Sequence, residues 1–169
     1  CRWNSVTYGN VSPNVFIPLI ENNGLESLLG LLAVKNAALY SGILNSDGVR
    51  VPISVNISSP QILDPHFLQH LIEICHAHNT PHDLLELEIT ESVFMLDEDS
   101  PSDRLGAIQK AGFKISLDDF GTGYSSLSYL RQFHFDIVKI DRSFILDLED
   151  NERSYKLVVA IMDMCKALN

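Results

Sequence analysis

Short stretches of this chain alternate apolar and polar residues with a period of two, and the polar residues all take one face. The strand candidates are Val51–Ile57, Leu85–Thr90, Lys114–Asp118 and Ile137–Ile140, with Cys1–Trp3 as the tail of another. Successive side chains of a strand point to opposite faces. In the first segment Val55 and Ile57 therefore oppose Ser54, Asn56 and Ser58. In the second, the leucines and Ile89 oppose Glu86, Glu88 and Thr90. Ile115 and Leu117 oppose Lys114, Ser116 and Asp118, and Val138 and Ile140 oppose Lys139 and Asp141. Each strand has one apolar face for a covering layer of helices and one polar or charged face.

Helical periodicity fills the intervals, at Pro13–Asn22, Leu25–Ser46, Pro65–His78, Pro101–Ala111, Ser126–Arg131 and Arg153–Leu168. Ser12-Pro13 and Asp64-Pro65 read as N-caps with proline in the first turn, and Gly112 stands where a C-terminal glycine belongs. Strand–helix alternation implies parallel strands joined by helical crossovers. An open doubly wound sheet is apolar on both faces, whereas a polar inner face suits a barrel with its active site at the C-terminal strand ends. The expected fold is α/β, a modified TIM-type (β/α) barrel in a single domain over residues 1–169. A whole barrel takes ~250 residues, so the reading is of a barrel truncated at both ends.

Bulk properties narrow the function. A net charge of −10 argues against DNA or RNA polymers as partners, since these need basic surface. Cys1, Cys75 and Cys165 are odd in number and widely spaced, which fits a reducing, cytoplasmic setting rather than a disulfide framework. The apolar helix around Leu25–Leu44 is interrupted by Glu26, Lys35, Asn36 and Ser41, which argues against a membrane span. An anchor in the parent protein would lie elsewhere.

Asn56, Glu88, Asp118 and Asp119 are hard oxygen donors near strand ends. Converging carboxylates repel, and divalent cations relieve that conflict; oxygen-only donors favour Mg²⁺ or Mn²⁺ over Zn²⁺. Adjacent aspartates suit two metals, and Lys139 adds a cation to orient water or neutralise phosphate. Such an assembly suits phosphodiester hydrolysis.

The segments Ser54-Val-Asn-Ile-Ser58, Glu86-Leu-Glu-Ile-Thr-Glu-Ser92, Asp118-Asp-Phe-Gly-Thr-Gly-Tyr-Ser-Ser-Leu127 and Lys139-Ile-Asp-Arg-Ser-Phe144 resemble the motifs of EAL-domain cyclic-di-GMP phosphodiesterases, in order and spacing. Ser12-Pro13 and Phe16-Ile-Pro-Leu19 are similar too. The resemblance implies a two-metal enzyme using Mg²⁺ or Mn²⁺ that opens cyclic di-GMP to linear pGpG; Ca²⁺, larger and looser in its coordination, is expected to bind the oxygen donors and inhibit. By the same resemblance Asn56, Glu88, Asp118 and Asp119 bind metal, and Lys139 holds or activates the attacking water. Arg2 contacts substrate phosphate, and Glu91 steadies the loop from Asp119 to Ser126. A homodimer and accompanying GGDEF, PAS or other sensor domains are implied as partners. The alternative is a catalytically inactive EAL domain acting as a nucleotide receptor or regulatory interaction module. The Glu-Ala-Leu tripeptide is expected immediately before Cys1, and the Ala-Glu-Gly-Val-Glu and Gln-Gly-Tyr segments beyond Asn169. The fragment alone is therefore expected to be inactive.

Weaker signals have plainer readings. His66, His70, His76 and His78 fit a helix and its C-terminal dipole better than a metal site. Glu86 reads as an inward salt bridge, and Asp141 as either an orienting partner or an interior ion pair. Trp3 and Tyr124 read as packing residues, Ser125 and Ser126 lack an activating base, and Leu28, Leu29, Leu32 and Leu39 read as a core stripe.

Overall fold

The computed structural model describes residues 2–95, 101–121, 127–146, 148 and 151–168. It opens with β1 (Trp3–Ser5) and β2 (Gly9–Val11), followed by α1 (Pro13–Glu21) and α2 (Glu26–Ser46). Then come β3 (Ile53–Asn56), α3 (Ser59–Leu63), α4 (Phe67–Ala77), β4 (Leu85–Thr90) and α5 (Pro101–Lys110). The chain continues through β5 (Lys114–Phe120), α6 (Leu127–Gln132), β6 (Ile137–Ile140), α7 (Arg142–Leu146) and α8 (Glu152–Leu168). Single 3-10 turns occupy His82–Leu84 and Glu91–Met95.

The central sheet is parallel and runs β3-β4-β5-β6, in the order of the sequence. A doubly wound sheet reverses its strand order at a switch point; this one does not. Sequential order and a polar inner face make it an arc of a TIM-like barrel. Leu85, Leu87, Ile89, Ile115 and Leu117 bury their side chains under the helices. Each such burial contributes about 1.5–3 kcal/mol. Asp136 fastens one crossover: its Oδ2 accepts the Ile115 N–H at 2.9 Å and the Gln109 amide at 3.0 Å.

Some expectations change. The residues read as the tail of a strand at Cys1–Trp3 instead begin β1 at Trp3, which pairs antiparallel with β2 in a separate hairpin. Gly9, with φ of +67°, and two N–H bonds to Ser5 Oγ shape its turn. The helix expected at Pro65–His78 begins at Phe67, with α3 preceding it. Pro65 disfavours helical backbone at Asp64, which adopts extended φ/ψ of −65° and 117°. Asp64 closes α3 and its Oδ1 accepts the His66 N–H at 2.9 Å, so His66 is the residue before α4. Ser12 does occupy the N-cap of α1 with Pro13 in the first turn, though without a side-chain cap bond. Gly112 has φ of +100°, as a helix-terminating glycine requires.

The leucine stripe of α2 is not core. Leu28, Leu32 and Leu39 are 66%, 55% and 39% exposed. The buried side of this helix is made of Gly30, Val34, Ala37, Ala38, Ser41 and Gly42. By length and composition α2 meets the requirement for a membrane span, and its interrupting polar residues do not prevent that. Here, however, its small-residue side lies against β3, α3 and α4. Small side chains let the helix approach closely, which fixes the side it buries.

Gly42 marks the tightest approach. A Cβ there would collide with the His78 carbonyl oxygen and lie 3.0 Å from Thr80 Oγ1. Thr80 Oγ1 donates to the Ala38 carbonyl at 2.6 Å, so neither neighbour yields cheaply. Gly42→Ala is expected to destabilise the fold by about 1–3 kcal/mol, despite alanine's better helix propensity. Chemical denaturation checks this, and an unchanged or raised midpoint would refute the packing argument.

Candidate functional site

Parallel pairing lines up the polar faces in layers. Ser54 pairs with Glu86, and Glu86 with Lys114; Asn56 pairs with Glu88, and Glu88 with Ser116; Thr90 pairs with Asp118. Asn56 is the last residue of β3, and its neighbour Ile57 donates its N–H to the Glu88 carbonyl at 2.8 Å. Asn56 and Glu88 thus lie side by side, with Asp118 one layer nearer the C-terminal end of the sheet.

In a regular strand Asp118 and Asp119 would point to opposite faces. The register shows why these two need not. Leu117 pairs with Val138 and Phe120 with Ile140, so Asp118 and Asp119 together oppose Lys139 alone. This is a β-bulge, which re-aims side chains at the rim of a sheet. Asp119 takes φ of 52°, a left-handed conformation that aspartate tolerates better than most residues. Asp119 therefore stays exposed while Phe120 turns into the core at 4% exposure.

The electrostatics follow from this crowding. Partial desolvation, then the charges of Asp118 and Asp141, push the Asp119 carboxyl above its ordinary range. Asp141 is pulled the other way, chiefly by its hydrogen bonds from Ser143. It thus joins the acidic group as a direct neighbour of Asp119. Deeper in, Lys139 forms ion pairs with Glu86 at 3.1 Å and with Glu88. Burial alone would raise the Glu86 pKa. The Lys139 ammonium and the hydroxyls of Ser116 and Ser54 outweigh it and hold the carboxyl below its ordinary range. Burial likewise lowers the Lys139 pKa, but Glu88 and Glu86 raise it above the ordinary lysine value.

Glu91 reaches the same rim: its Oε1 accepts the Gly121 N–H at 3.0 Å. Gly121 has φ of +99°, and any side chain there would strike the ring of Phe144. Residues 122–126 of the loop, including Tyr124, Ser125 and Ser126, lie outside the described residues. Arg2 is exposed and lines a neighbouring cleft with Trp3 and Phe16, not the cleft that holds Asn56 and Glu88. Trp3 packs edge-on to Phe16 at 5.9 Å.

Among the described residues, no three His, Cys, Asp or Glu side chains converge as a preformed metal centre. The donor chemistry nonetheless fits a hard cation. The acids are oxygen donors, Asp118, Asp119 and Asp141 are close enough for their charges to act on one another, and Glu88 already holds a cation in Lys139. The histidines take no part. His66 and His70 lie ring to ring at 6.5 Å, and His82 stacks on Phe113 at 4.4 Å.

The ion pair makes a testable demand on the metal-free protein. Lys139→Met leaves Glu86 and Glu88 facing each other without a cation, and should cost about 1–3 kcal/mol at neutral pH. A carboxyl whose pKa is lower in the folded state stabilises above its unfolded pKa, and loses that contribution as pH falls through the folded value. The gap between wild type and variant should therefore narrow below about pH 4. Urea melts across pH check this; a gap that widens toward acid would refute it.

The comparisons agree with this geometry. The family model described as "EAL domain" matches residues 1–169. The chain is 35% identical to "Probable cyclic di-GMP phosphodiesterase PdeG" of Escherichia coli, covering 99% of this chain and 33% of that protein. It is 30% identical to "Cyclic di-GMP phosphodiesterase PA2567" of Pseudomonas aeruginosa, covering 99% and 28%. An uncharacterised protein of Azorhizobium caulinodans is 34% identical, with 23% of its length spanned. The chain thus spans a third or less of these curated relatives. Among solved structures, the "PaMucR Phosphodiesterase, c-di-GMP complex" superimposes with a TM-score of 0.91 at 33% identity, over 99% of this chain and 68% of that one. The EAL enzyme Bd1971 in its cAMP- and cyclic-di-GMP-bound form gives 0.90 at 32%, over 99% and 46%. With the motifs, the barrel arc and the family model in agreement, the chain belongs to the EAL domain family.

Proposed function

We propose that the protein carrying this chain hydrolyses one phosphodiester of cyclic di-GMP to give linear pGpG, with Mg²⁺ or Mn²⁺ as cofactor. The supporting observation is that Asn56, Glu88, Asp118 and Lys139 share one polar face near the C-terminal ends of consecutive parallel strands, with Asp119 beside Asp118 at the bulge. Relatives named as cyclic di-GMP phosphodiesterases support the substrate.

Asn56, Glu88, Asp118 and Asp119 would hold the metal, with Asp141 beside Asp119 as a further oxygen donor. When bound, the metal would supply a Lewis acid for phosphate oxygen and a lowered pKa for water. Lys139, ion-paired with Glu86 and Glu88, would hold or activate the attacking water, or neutralise phosphate charge. Glu91 holds the rim at Gly121. Arg2, exposed just before the β1–β2 hairpin, would contact substrate phosphate. The same proposal includes a cytoplasmic setting, read from the odd, widely spaced cysteines, and a homodimer and partner GGDEF, PAS or other sensor domains, carried by the family alone.

Asp118→Asn in the full-length protein should reduce pGpG formation by more than about 100-fold, because it removes charge from a metal-holding side chain. The circular-dichroism spectrum should stay unchanged, since size and one oxygen are kept. Near-normal turnover would contradict the assignment. Binding of cyclic di-GMP by the wild type without turnover would instead identify a receptor.

Metal exchange separates binding from chemistry. Chelation should abolish turnover, and Mg²⁺ or Mn²⁺ should restore it. Ca²⁺ accepts looser coordination at ~2.4 Å against ~2.1 Å for Mg²⁺; it should support nucleotide binding but not hydrolysis. Initial rates and calorimetry on one preparation check this, and full activity in Ca²⁺ alone would remove the two-metal reading.

A further inference from the structure

The turn after β3 is held by Gln61, which is polar yet only 2% exposed. Its Oε1 accepts both the N–H and the hydroxyl of Ser58, at 3.2 and 3.1 Å, while its own N–H donates to the Ser58 carbonyl at 3.0 Å. The bond from the Ser58 N–H to Gln61 Oε1 is the return half of a capping box. Ser58 lies two residues from Asn56, and the residue between them, Ile57, is tied to the Glu88 carbonyl. The backbone that carries Asn56 past Glu88 is thus fastened on both sides, at Ile57 to β4 and at Ser58 to Gln61.

Gln61 is in turn fixed by α2. A Cβ on Gly30 would overlap Oε1, Cδ and Nε2 of the Gln61 side chain, so its amide lies against the bare backbone of this helix. Nε2 is buried without a hydrogen-bond partner among the described residues, so close packing on Gly30 and the two Oε1 bonds hold the side chain. Gly30, Gln61, Asn56 and Glu88 line one cleft of about 830 Å³.

We infer that Gln61, seated on Gly30, is a positioning residue that sets where Asn56 stands relative to Glu88, and through it the affinity for the metal. This rests on the metal-holding role of Asn56 proposed above. Neither residue touches the reacting atoms; a donor misplaced by a fraction of an ångström weakens a hard-cation site whose other ligands are unchanged.

The test uses the full-length protein and Mn²⁺ alone, titrated by electron paramagnetic resonance without nucleotide. Gln61→Met keeps the volume but loses the Oε1 acceptor, and should raise the Mn²⁺ concentration for half-saturation by about 10-fold. Gln61→Glu keeps a capping-box acceptor and should restore binding to within about 3-fold of wild type. A merely structural role would lower Tm in Gln61→Met with Mn²⁺ binding by the folded protein unchanged, and that result overturns the inference. Failure of the wild type to bind Mn²⁺ would overturn this inference and the metal-dependent reading together. Wild-type binding matched by Gln61→Met would overturn this inference alone. Should Gln61→Met not fold, Gly30→Ala, whose Cβ displaces the Gln61 side chain, takes its place. It should likewise raise the Mn²⁺ concentration for half-saturation, and unchanged Mn²⁺ binding by the folded variant would overturn the inference.

Discussion

Glu86 and Glu88 project from the same face of β4 into the interior of the arc, and both meet the ammonium of Lys139 from β6. β5 lies between those strands in the sheet, so the contact spans the width of one strand. Carboxylates on an inward face are unfavourable unless a cation compensates them. In this chain that cation is covalently part of the domain. The polar face can therefore persist beside a core built from Leu85, Leu87, Ile89, Ile115 and Leu117.

The rim is crowded differently. Asp118, Asp119 and Asp141 gather where β5 bulges against β6, and partial desolvation, then the charges of Asp118 and Asp141, raise the Asp119 pKa. The site thus has an inner part in which Lys139 bridges Glu86 and Glu88, and an outer part in which three aspartates crowd together. The bulge is essential to this, because regular pleating would place one of two consecutive aspartates on the wrong face.

The α2 helix illustrates how far pattern reading reaches. Leucines at Leu28, Leu32 and Leu39 make as plausible a core stripe as any, yet they are exposed, and a side of glycine, alanine, serine and valine is buried. Apolar residues occur around much of this helix, so hydropathy alone cannot choose its inner side. Closeness of approach chooses it: Gly30 meets Gln61 and Gly42 meets the His78 carbonyl, contacts that link residues more than thirty positions apart. The β1–β2 hairpin was hidden for a related reason. Gly9-Asn10-Val11 has little strand propensity, and only pairing with Trp3–Ser5 makes it a strand.

What the sequence determined by itself was local and periodic. Side-chain alternation on β3 to β6 is dictated by backbone geometry, so the shared polar face, the parallel strand–helix succession and the list of oxygen donors could be read directly. The motif from Asp118 to Leu127 carried the family resemblance in the same local way. Tertiary structure decided everything that depends on register. It set Asn56 beside Glu88 and placed Lys139 between Glu86 and Glu88. It also opened the bulge that carries Asp119 and left Arg2 in the neighbouring cleft. Register is a relation between distant segments, fixed by packing and charge compensation across the whole arc, and no window of sequence contains it.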